Sequence, residues 1–294
     1  MIAPRQTFSL SLPNLGPLQL GVHTLVMGII NVTPDSFADG GRRFSADAAI
    51  AGAIAMAHAG ADLVDIGAES TRPGADPLPV DEELGRLVPV LEGLRGRLKI
   101  PVSIDTYKAP VADRAIDLGA AIVNDVSALA FDPAMAEVVA RRGVPVILMH
   151  TRGRSREMYA LARYTDPAGE VAAELAARVA VAEAAGIARG QIILDPGLGF
   201  AKRAEHSLAV LAGLPRLAAL GCPLLVGPSR KSFLTAALGD VPPDHREWGT
   251  AAAVTAAVLL GAHIVRVHGV AEMIDVVRVA DALRSHSTSG TERV

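Results

Sequence analysis

The sequence predicts a single (β/α)₈ barrel, the TIM-barrel form of the α/β class, with a short N-terminal hairpin before its first strand. Three features carry this prediction: eight short apolar runs typical of strands, longer segments with helical spacing between them, and no linker-like stretch in the 294 residues. Continuous Val/Ile/Leu strands indicate a parallel sheet covered by helices, and eight repeats in roughly 250 residues match a closed barrel. The pattern alone leaves open a doubly wound sheet, and length alone allows two domains.

The elements follow in order along the chain. Residues 8–12 and 18–20 alternate apolar and polar, which predicts a hairpin that plugs the N-terminal end of the barrel. One single domain is expected over 1–284, and the mostly polar residues 285–294 are expected to form a disordered tail. The eight barrel strands are predicted at Leu25–Asn31, Leu63–Gly67, Val102–Asp105, Ile122–Asp125, Val144–Met149, Ile192–Asp195, Leu224–Gly227 and Ile264–His268.

Composition excludes several classes of protein. A net charge of −3 without a long Lys/Arg block argues against nucleic-acid and membrane-surface partners. The single cysteine, Cys222, excludes an internal disulfide framework, and no Cys/His cluster offers a zinc site. The N-terminus does not resemble a signal peptide, and the apolar segment 249–267 is interrupted by polar residues, which indicates a buried helix and strand. We therefore expect a cytoplasmic protein.

Nearly every predicted strand ends in a polar residue at its C-terminal tip. In a barrel these tips converge on one rim, where such enzymes carry out their chemistry. Any single Asp or Asn among them is more often a helix cap or a turn residue. Together they favour a substrate with many hydrogen-bonding edges and an anionic part. The tips carry Asn31, Glu69, Asp105, Asn124, His150, Asp195, Lys231 and His268.

Candidate receivers for an anion lie after three of the strands. The first is Arg72, in a Thr-Arg-Pro-Gly turn in which Pro73 and Gly74 favour a rigid bend. Arg266 and His268 alternate on the last strand, so both are expected to face inward. The Ser-Arg-Lys-Ser segment at 229–232 precedes an apolar run, and its backbone N–H groups are suited to a carboxylate or phosphate. Arg230 is equally well explained as a solvated loop charge. Asn31 beside a diphosphate would complete a Mg²⁺ shell made mostly of phosphate oxygens and water, but it also suits a turn before Pro34.

Two stretches carry a resemblance to a known family. GIINVTPDSF at 28–37 and DIGAESTRPG at 65–74 resemble the first and second signatures of the dihydropteroate synthases. Further similar pieces follow in the expected order at 103–106, 123–126, 195–200, 229–232 and 266–268. The resemblance spans about residues 25 to 284, so the chain is identified as a member of this family.

The resemblance implies an enzyme that joins 6-hydroxymethyl-7,8-dihydropterin diphosphate to p-aminobenzoate and releases pyrophosphate, with Mg²⁺ on the leaving group. It implies a pterin pocket lined by Asp105, Asn124, Met149, Asp195, Lys231 and Arg266. It implies that the diphosphate is held by Asn31, Thr71, Arg266 and His268, with Asn31 as the protein ligand of the metal. It implies a p-aminobenzoate site made by Phe37, Thr71, Arg72, Pro73, Phe200 and Ser232.

The implied mechanism needs no nucleophile from the enzyme. Once the diphosphate is neutralised, the pterin methylene develops cationic character and the aromatic amine attacks it. In our hypothesis Asp35 faces the developing cation, and Lys231, Arg266 and His268 complete the catalytic set. The family also suggests a homodimer.

Two other functions compete with this one. A related class of enzymes binds a reduced pterin in a similar barrel and transfers its methyl group to a corrinoid protein, but it has no use for residues 229–232. A catalytically silent paralogue would keep the pocket and lose the loop residues, whereas Asp35, Phe37, Thr71 and Arg72 are intact. One departure from the family pattern is Gly269, which stands where an acidic residue commonly follows the last-strand histidine.

Overall fold

The computed structural model of the chain describes residues 2, 5–13, 15–32, 42–70 and 74–288, the side chains of 42–45 and 287–288 excepted. Two short strands come first, β1 at Phe8–Leu10 and β2 at Leu18–Leu20. They pair antiparallel, which confirms the predicted hairpin. The eight strands that follow are β3 (Leu25–Asn31), β4 (Leu63–Gly67), β5 (Val102–Asp105), β6 (Ile122–Asp125), β7 (Val146–Met149), β8 (Ile192–Asp195), β9 (Leu225–Val226) and β10 (Ile264–Val267).

The helices lie between and after these strands. They form the connections that a parallel barrel requires from the end of one strand to the start of the next. Their bounds are α1 (Arg42–His58), α2 (Val80–Leu94), α3 (Ala109–Asp117), α4 (Met135–Arg142), α5 (Pro167–Ala184), α6 (Ala204–Ala212), α7 (Leu214–Ala218), α8 (Thr235–Leu238), α9 (Glu247–Leu259) and α10 (Val270–Thr288).

The sheet is parallel and closes on itself. Its order is β8-β7-β6-β5-β4-β3-β10-β9, and the two ends meet through a parallel bridge between Leu194 and Leu224. At this seam the Leu194 N–H donates to the Pro223 carbonyl at 2.9 Å. The closed barrel confirms the predicted fold and excludes the open, doubly wound sheet.

The strand bounds follow the sequence closely, with three differences. Strand β7 begins at Val146 and not at Val144, because Pro145 has no N–H to donate, although its carbonyl accepts from the Val123 N–H at 3.0 Å. Strand β9 contains only Leu225 and Val226. Strand β10 ends at Val267, one residue before the predicted end at His268.

Two separate groups of apolar side chains stabilise the barrel. Alternate residues of each strand face outward against the helices, as Val64 and Ile66 do in β4. The inward residues at the N-terminal end pack together with Leu10 and Leu20 of the hairpin. The hairpin therefore plugs the barrel at that end, as predicted. The opposite end, where the strands terminate, remains for polar side chains.

The helices also bear on the expected burial of the segment 249–267, the expected tail and the expected absence of a membrane span. The apolar segment of α9 is buried at Val254, Ala257 and Val258, so it faces the barrel. Helix α10 continues to Thr288 and so includes the first four residues of the expected disordered tail, 285–288. Among the residues that the structure describes, no helix is long and apolar enough to cross a bilayer.

Candidate functional site

Four predicted pterin contacts lie at the C-terminal tips of neighbouring strands. Asp105 ends β5, Met149 ends β7 and Asp195 ends β8, while Asn124 lies one residue before the end of β6. Asn124, Met149 and Asp195 are buried, and Asp105 is partly buried. Because neighbouring strands are parallel, their C-terminal tips lie at the same end of the barrel. The structure therefore places this part of the predicted set together.

Arg266 reaches this group from β10 and lies between two carboxylates. Its Nε donates to Asp65 Oδ2 at 2.6 Å, and its Nη2 donates to Asp105 Oδ2 at 2.9 Å. The same Asp65 oxygen accepts from Asn124 Nδ2 at 2.9 Å. The Asp65 carboxylate thus links Arg266 to Asn124, Arg266 in turn contacts Asp105, and the planar guanidinium is held at its edge by these N–H groups.

That carboxylate, Asp65, was given no role in the sequence analysis. It lies at the centre of β4, it is fully buried, and its Oδ1 has no hydrogen-bond partner among the described residues. An acidic residue in the middle of the apolar run Leu-Val-Asp-Ile-Gly is itself a signal, because a buried strand rarely retains an unpaired carboxylate. Attention to that position, and not only to strand tips, would have found it.

Burial and charge change the protonation of this group. Burial, followed by repulsion from Asp65, raises the pKa of Asp105 to about 7, and Arg266 opposes this rise. Two carboxylates this close to a single cation resist being ionised together. Burial and the neighbouring carboxylate therefore favour the protonated form of Asp105.

Lys231 and Asp195 form the other side of the pocket. Burial lowers the pKa of Lys231 to about 8, with Asp195 acting against the fall. The Lys231 ammonium donates to the Leu198 carbonyl at 2.5 Å and lies 4.5 Å from the centre of the Phe200 ring. Burial also raises the pKa of Asp195, whose Oδ1 accepts from the Gly197 N–H at 2.7 Å. One lysine thus connects a predicted pterin residue to a predicted p-aminobenzoate residue.

The predicted diphosphate residues are brought together only in part. His268 Nδ1 lies 2.9 Å from Ser229 Oγ, and the His268 N–H donates to the same oxygen at 3.2 Å. This serine was not assigned to the site and orients the histidine ring from the β9 side. Asn31 ends β3 with its side chain exposed, and its Cα is paired in register with that of Gly67.

Arg230 and Ser232 do not point to the same place. Arg230 adopts a left-handed conformation, with φ of 57°, and its Nε donates to Glu247 Oε2 at 2.8 Å. Its charge is therefore directed to α9 and not to the pocket. Ser232 begins a short 3₁₀ turn that leads into α8 and is exposed at the rim, where it was predicted to meet a carboxylate.

The unusual Gly269 has a structural reason. A Cβ atom at this position would lie 2.5 Å from Glu247 Oε1 and 2.8 Å from Glu272 Oε2. Both atoms are the ends of flexible glutamate side chains that can move aside, but a third carboxylate at 269 would add charge repulsion to this acidic pair.

A cavity of about 280 Å³ opens at the rim between the loops after β4, β5, β6, β7 and β8. Phe200 forms part of its wall, and Arg154 lies over the Phe131 ring at 4.2 Å. The basic segment 151–156 is largely neutralised, because Arg152 pairs with Glu170 and Glu174, and Arg156 with Asp76. The segment is therefore no broad surface for polyanions.

Five predicted site residues cannot be placed. Asp35, Phe37, Thr71, Arg72 and Pro73 lie outside the described residues. Their roles stay predictions. Glu69 lies two residues before Thr71 and is held by two hydrogen bonds. Its carboxylate accepts from the Tyr107 hydroxyl at 2.8 Å and from the Leu78 N–H at 2.8 Å.

The residues present suit a cation that brings its own ligands. Within the described ranges no cluster of three His, Cys, Asp or Glu residues is arranged to hold a metal. Asn31 offers one exposed amide oxygen at the rim. Mg²⁺ commonly takes one or two protein oxygens and completes its shell with phosphate and water. The described residues therefore fit a Mg²⁺ ion that takes most of its ligands from outside the protein, and Asn31 is the residue that would hold it.

Comparisons with a protein family, with curated proteins and with solved structures agree with one another. A family model described as pterin binding enzyme matches residues 27–268. A dihydropteroate synthase of Synechocystis sp. is 49% identical over 263 residues, which cover 90% of this chain and 91% of that protein. The Xanthomonas albilineans dihydropteroate synthase solved with 4-aminobenzoic acid is 41% identical, with a TM-score of 0.87 over 95% of this chain and 99% of that one. The structure of that organism's enzyme with 7,8-dihydropteroate is 39% identical, with a TM-score of 0.84 over 94% and 98% of the two chains.

Proposed function

Because the chain belongs to the pterin-binding enzyme family, as a dihydropteroate synthase, we propose that it condenses 6-hydroxymethyl-7,8-dihydropterin diphosphate with p-aminobenzoate. The products are 7,8-dihydropteroate and pyrophosphate. The single observation that carries the proposal is the grouping of polar and charged side chains at the C-terminal end of the barrel, namely Asp105, Asn124, Asp195, Lys231 and Arg266.

This grouping is chemically complementary to a pterin. The amino and N–H edge of the ring system presents hydrogen-bond donors, and the carboxylates of Asp105 and Asp195 accept hydrogen bonds from them. Asn124 offers a donor and an acceptor together, and Lys231 donates to the carbonyl edge. Asp65 and Asp105 hold the Arg266 guanidinium by hydrogen bonds, so its plane is fixed before the pterin binds.

The diphosphate leaves at the β10 side of the pocket. Arg266 supplies positive charge, and the His268 ring, held by Ser229, supplies a hydrogen bond where negative charge develops on the departing oxygen. Asn31 would hold Mg²⁺, which when bound neutralises the leaving group. Thr71 completes this set in the proposal, and Asp35 faces the pterin methylene as it becomes cationic.

The p-aminobenzoate approaches from the rim. The Phe200 ring supports its aromatic ring, and the exposed Ser232 meets its carboxylate, with Phe37, Thr71, Arg72 and Pro73 covering it. The amine then forms the C–N bond to the pterin methylene as the C–O bond to the diphosphate breaks. Positioning of the two substrates accounts for most of the rate in this account, because no covalent intermediate with the protein is required.

We also propose that the chain forms a homodimer. Val279 and Leu283 lie one turn apart on α10 and expose 63% and 53% of their surface. Such neighbouring apolar side chains favour an interface. Light scattering of the purified protein tests this, and Val279→Asp with Leu283→Asp should give a monomer.

The function is tested by pyrophosphate release from the pterin diphosphate with Mg²⁺, with and without p-aminobenzoate. Release should depend on p-aminobenzoate and should be lost in Lys231→Ala, while the exposed Lys99→Ala serves as the matched control. Binding of the pterin without turnover in the wild type would point to a silent paralogue.

A further inference from the structure

Lys202 carries a buried ammonium group that the reaction described above does not use. Its side chain is among the largest that are fully buried, and only 2% of the residue is exposed. The Nζ atom lies 2.8 Å from His150 Nδ1 and donates to the carbonyls of Gly197 at 3.1 Å and Phe200 at 3.0 Å. Among the described residues it makes no ion pair. Burial holds the pKa of Lys202 well below its ordinary value. A buried amine is costly unless its N–H groups are hydrogen-bonded, so packing alone is a poor reason to retain it.

The carbonyls that meet Lys202 belong to one tightly coiled loop. Gly197 and Gly199 are left-handed, with φ of 64° and 80°, and Ala201 follows with φ of 47°. This coil turns the carbonyls of Gly197 and Phe200 inward to the ammonium group. A non-glycine residue in this region costs free energy unless its surroundings hold it in place.

The other face of the same loop is part of the candidate site. Its Leu198 carbonyl accepts from Lys231, and its Phe200 ring lies beneath the Lys231 ammonium. Two lysines therefore hold one loop from opposite sides, Lys202 from within the protein and Lys231 from the pocket.

His150 connects Lys202 to the outer layer of helices. Burial, followed by the charge of Lys202, lowers the pKa of His150 to about 4, so its ring is neutral. Since Nδ1 faces the ammonium of Lys202, the ring proton is on Nε2 and is donated to Glu174 Oε2 at 3.0 Å. Arg152 pairs in turn with Glu174 and lies 3.9 Å from the centre of the Tyr164 ring.

We propose that Lys202, held by His150 and Glu174, is a positioning residue that fixes the 197–200 loop and so places Phe200 for the aromatic amine substrate. The inference rests on the proposed function for the identity of that substrate. Lys202 does not touch either substrate in this account. Its effect should therefore appear at the p-aminobenzoate side and not in pterin affinity.

The test compares Lys202→Met with Lys99→Met, which makes the same chemical change at an exposed position. We expect Lys202→Met to raise the KM for p-aminobenzoate by about tenfold or more, the equivalent of one lost hydrogen-bond contribution. The pterin Kd, measured by calorimetry without the amine, should stay within about threefold of the wild type. Lys99→Met should change neither quantity.

A double variant separates positioning from a general loss of stability. If Lys202 acts through the loop, its effect on the KM for p-aminobenzoate should be strongly non-additive with that of Phe200→Ala. Additive effects, an unchanged KM, or equal weakening of both substrates would each overturn the proposal. If Lys202→Met does not fold, Lys202→Gln retains N–H donors for the carbonyls and should show an intermediate rise in KM.

Hydrogen exchange keeps this inference separate from the proposed function. The Gly197 amide is bonded to Asp195, the Gly199 amide to Ser207 Oγ at 3.1 Å, and the Phe200 amide to the Gly197 carbonyl at 3.0 Å. In Lys202→Met these three amides should exchange faster, whether or not the wild type turns over p-aminobenzoate. Unchanged exchange would overturn the positioning role, whereas an inactive wild type with accelerated exchange would count only against the proposed reaction.

Discussion

Asp105→Asn should change the pH dependence of stability in a direction set by the pocket. The pKa of Asp105 is about 7 in the folded protein, against 3.8 for an ordinary aspartate. Between these two values the folded chain keeps a proton that the unfolded chain has lost. The stabilisation that this proton gives is therefore complete below pH 3.8 and is lost as the pH rises through about 7.

The magnitude follows from the same two values. One pKa unit corresponds to about 1.4 kcal/mol, so the unfolding free energy falls by roughly 2.5 kcal/mol between pH 5 and pH 8 on account of Asp105 alone. Asparagine does not titrate. The unfolding free energy of Asp105→Asn, relative to the wild type, should therefore rise by up to about this amount over the same range.

Urea denaturation followed by circular dichroism at pH 5, 6, 7 and 8 measures this difference. Asp65→Asn is the informative second variant, because it removes the main neighbouring negative charge and should lower the pKa of Asp105. Its stability should therefore fall at lower pH than that of the wild type. A difference between Asp105→Asn and the wild type that does not vary with pH would refute the assignment of the proton to Asp105.

Three further predictions concern other parts of the site. Lys231, with a pKa of about 8, should lose its charge above that pH, so calorimetry from pH 7 to 9.5 should show pterin affinity falling, with no such fall in Lys231→Met. Gly197→Ala places a Cβ atom 2.0 Å from the His150 carbonyl oxygen, and we expect it to lower the unfolding free energy by about 3 kcal/mol or more. Gly221→Ala, also left-handed but with no neighbour within 4 Å, should cost only about 1 kcal/mol in urea denaturation, and equal losses in the two variants would contradict the steric argument. Glu69→Gln weakens the partly buried ion pair with Lys108 and should lower the unfolding free energy by about 1–3 kcal/mol in calorimetry. An unchanged melting temperature would be the contrary result.

The fold was predictable because its signals are local. Buried parallel strands are continuous apolar runs, and Leu63–Gly67 and Ile192–Asp195 begin and end in the structure as the sequence indicates. Boundaries were wrong where a strand depends on its partner. Strand β7 starts after Pro145, and β9 retains only Leu225 and Val226 near the seam of the barrel.

The grouping of polar residues at one end of the barrel was predictable, because a polar residue at the end of a buried strand is conspicuous in the sequence. The structure brings Asp105, Asn124, Asp195 and Arg266 together there, and their roles toward a substrate stay predictions. Asp65 was missed because it lies in the middle of β4, in a run of residues that is otherwise apolar and typical of a buried strand.

Other features depend on contacts that no sequence pattern shows. The left-handed backbone of Arg230 turns its side chain to Glu247, which a spacing argument does not foresee. The contact between Lys202 and His150 joins residues 52 positions apart, so only the closed barrel brings them together.

The measurement that tests the central claim most directly is the identity of the product. The purified protein should be incubated with the pterin diphosphate, Mg²⁺ and ring-deuterated p-aminobenzoate, and the mixture analysed by mass spectrometry. The account predicts 7,8-dihydropteroate that carries the deuterium label, formed in equal amount to pyrophosphate and absent in Lys231→Ala. Pyrophosphate without labelled dihydropteroate, or no turnover of a pterin diphosphate that binds, would contradict it.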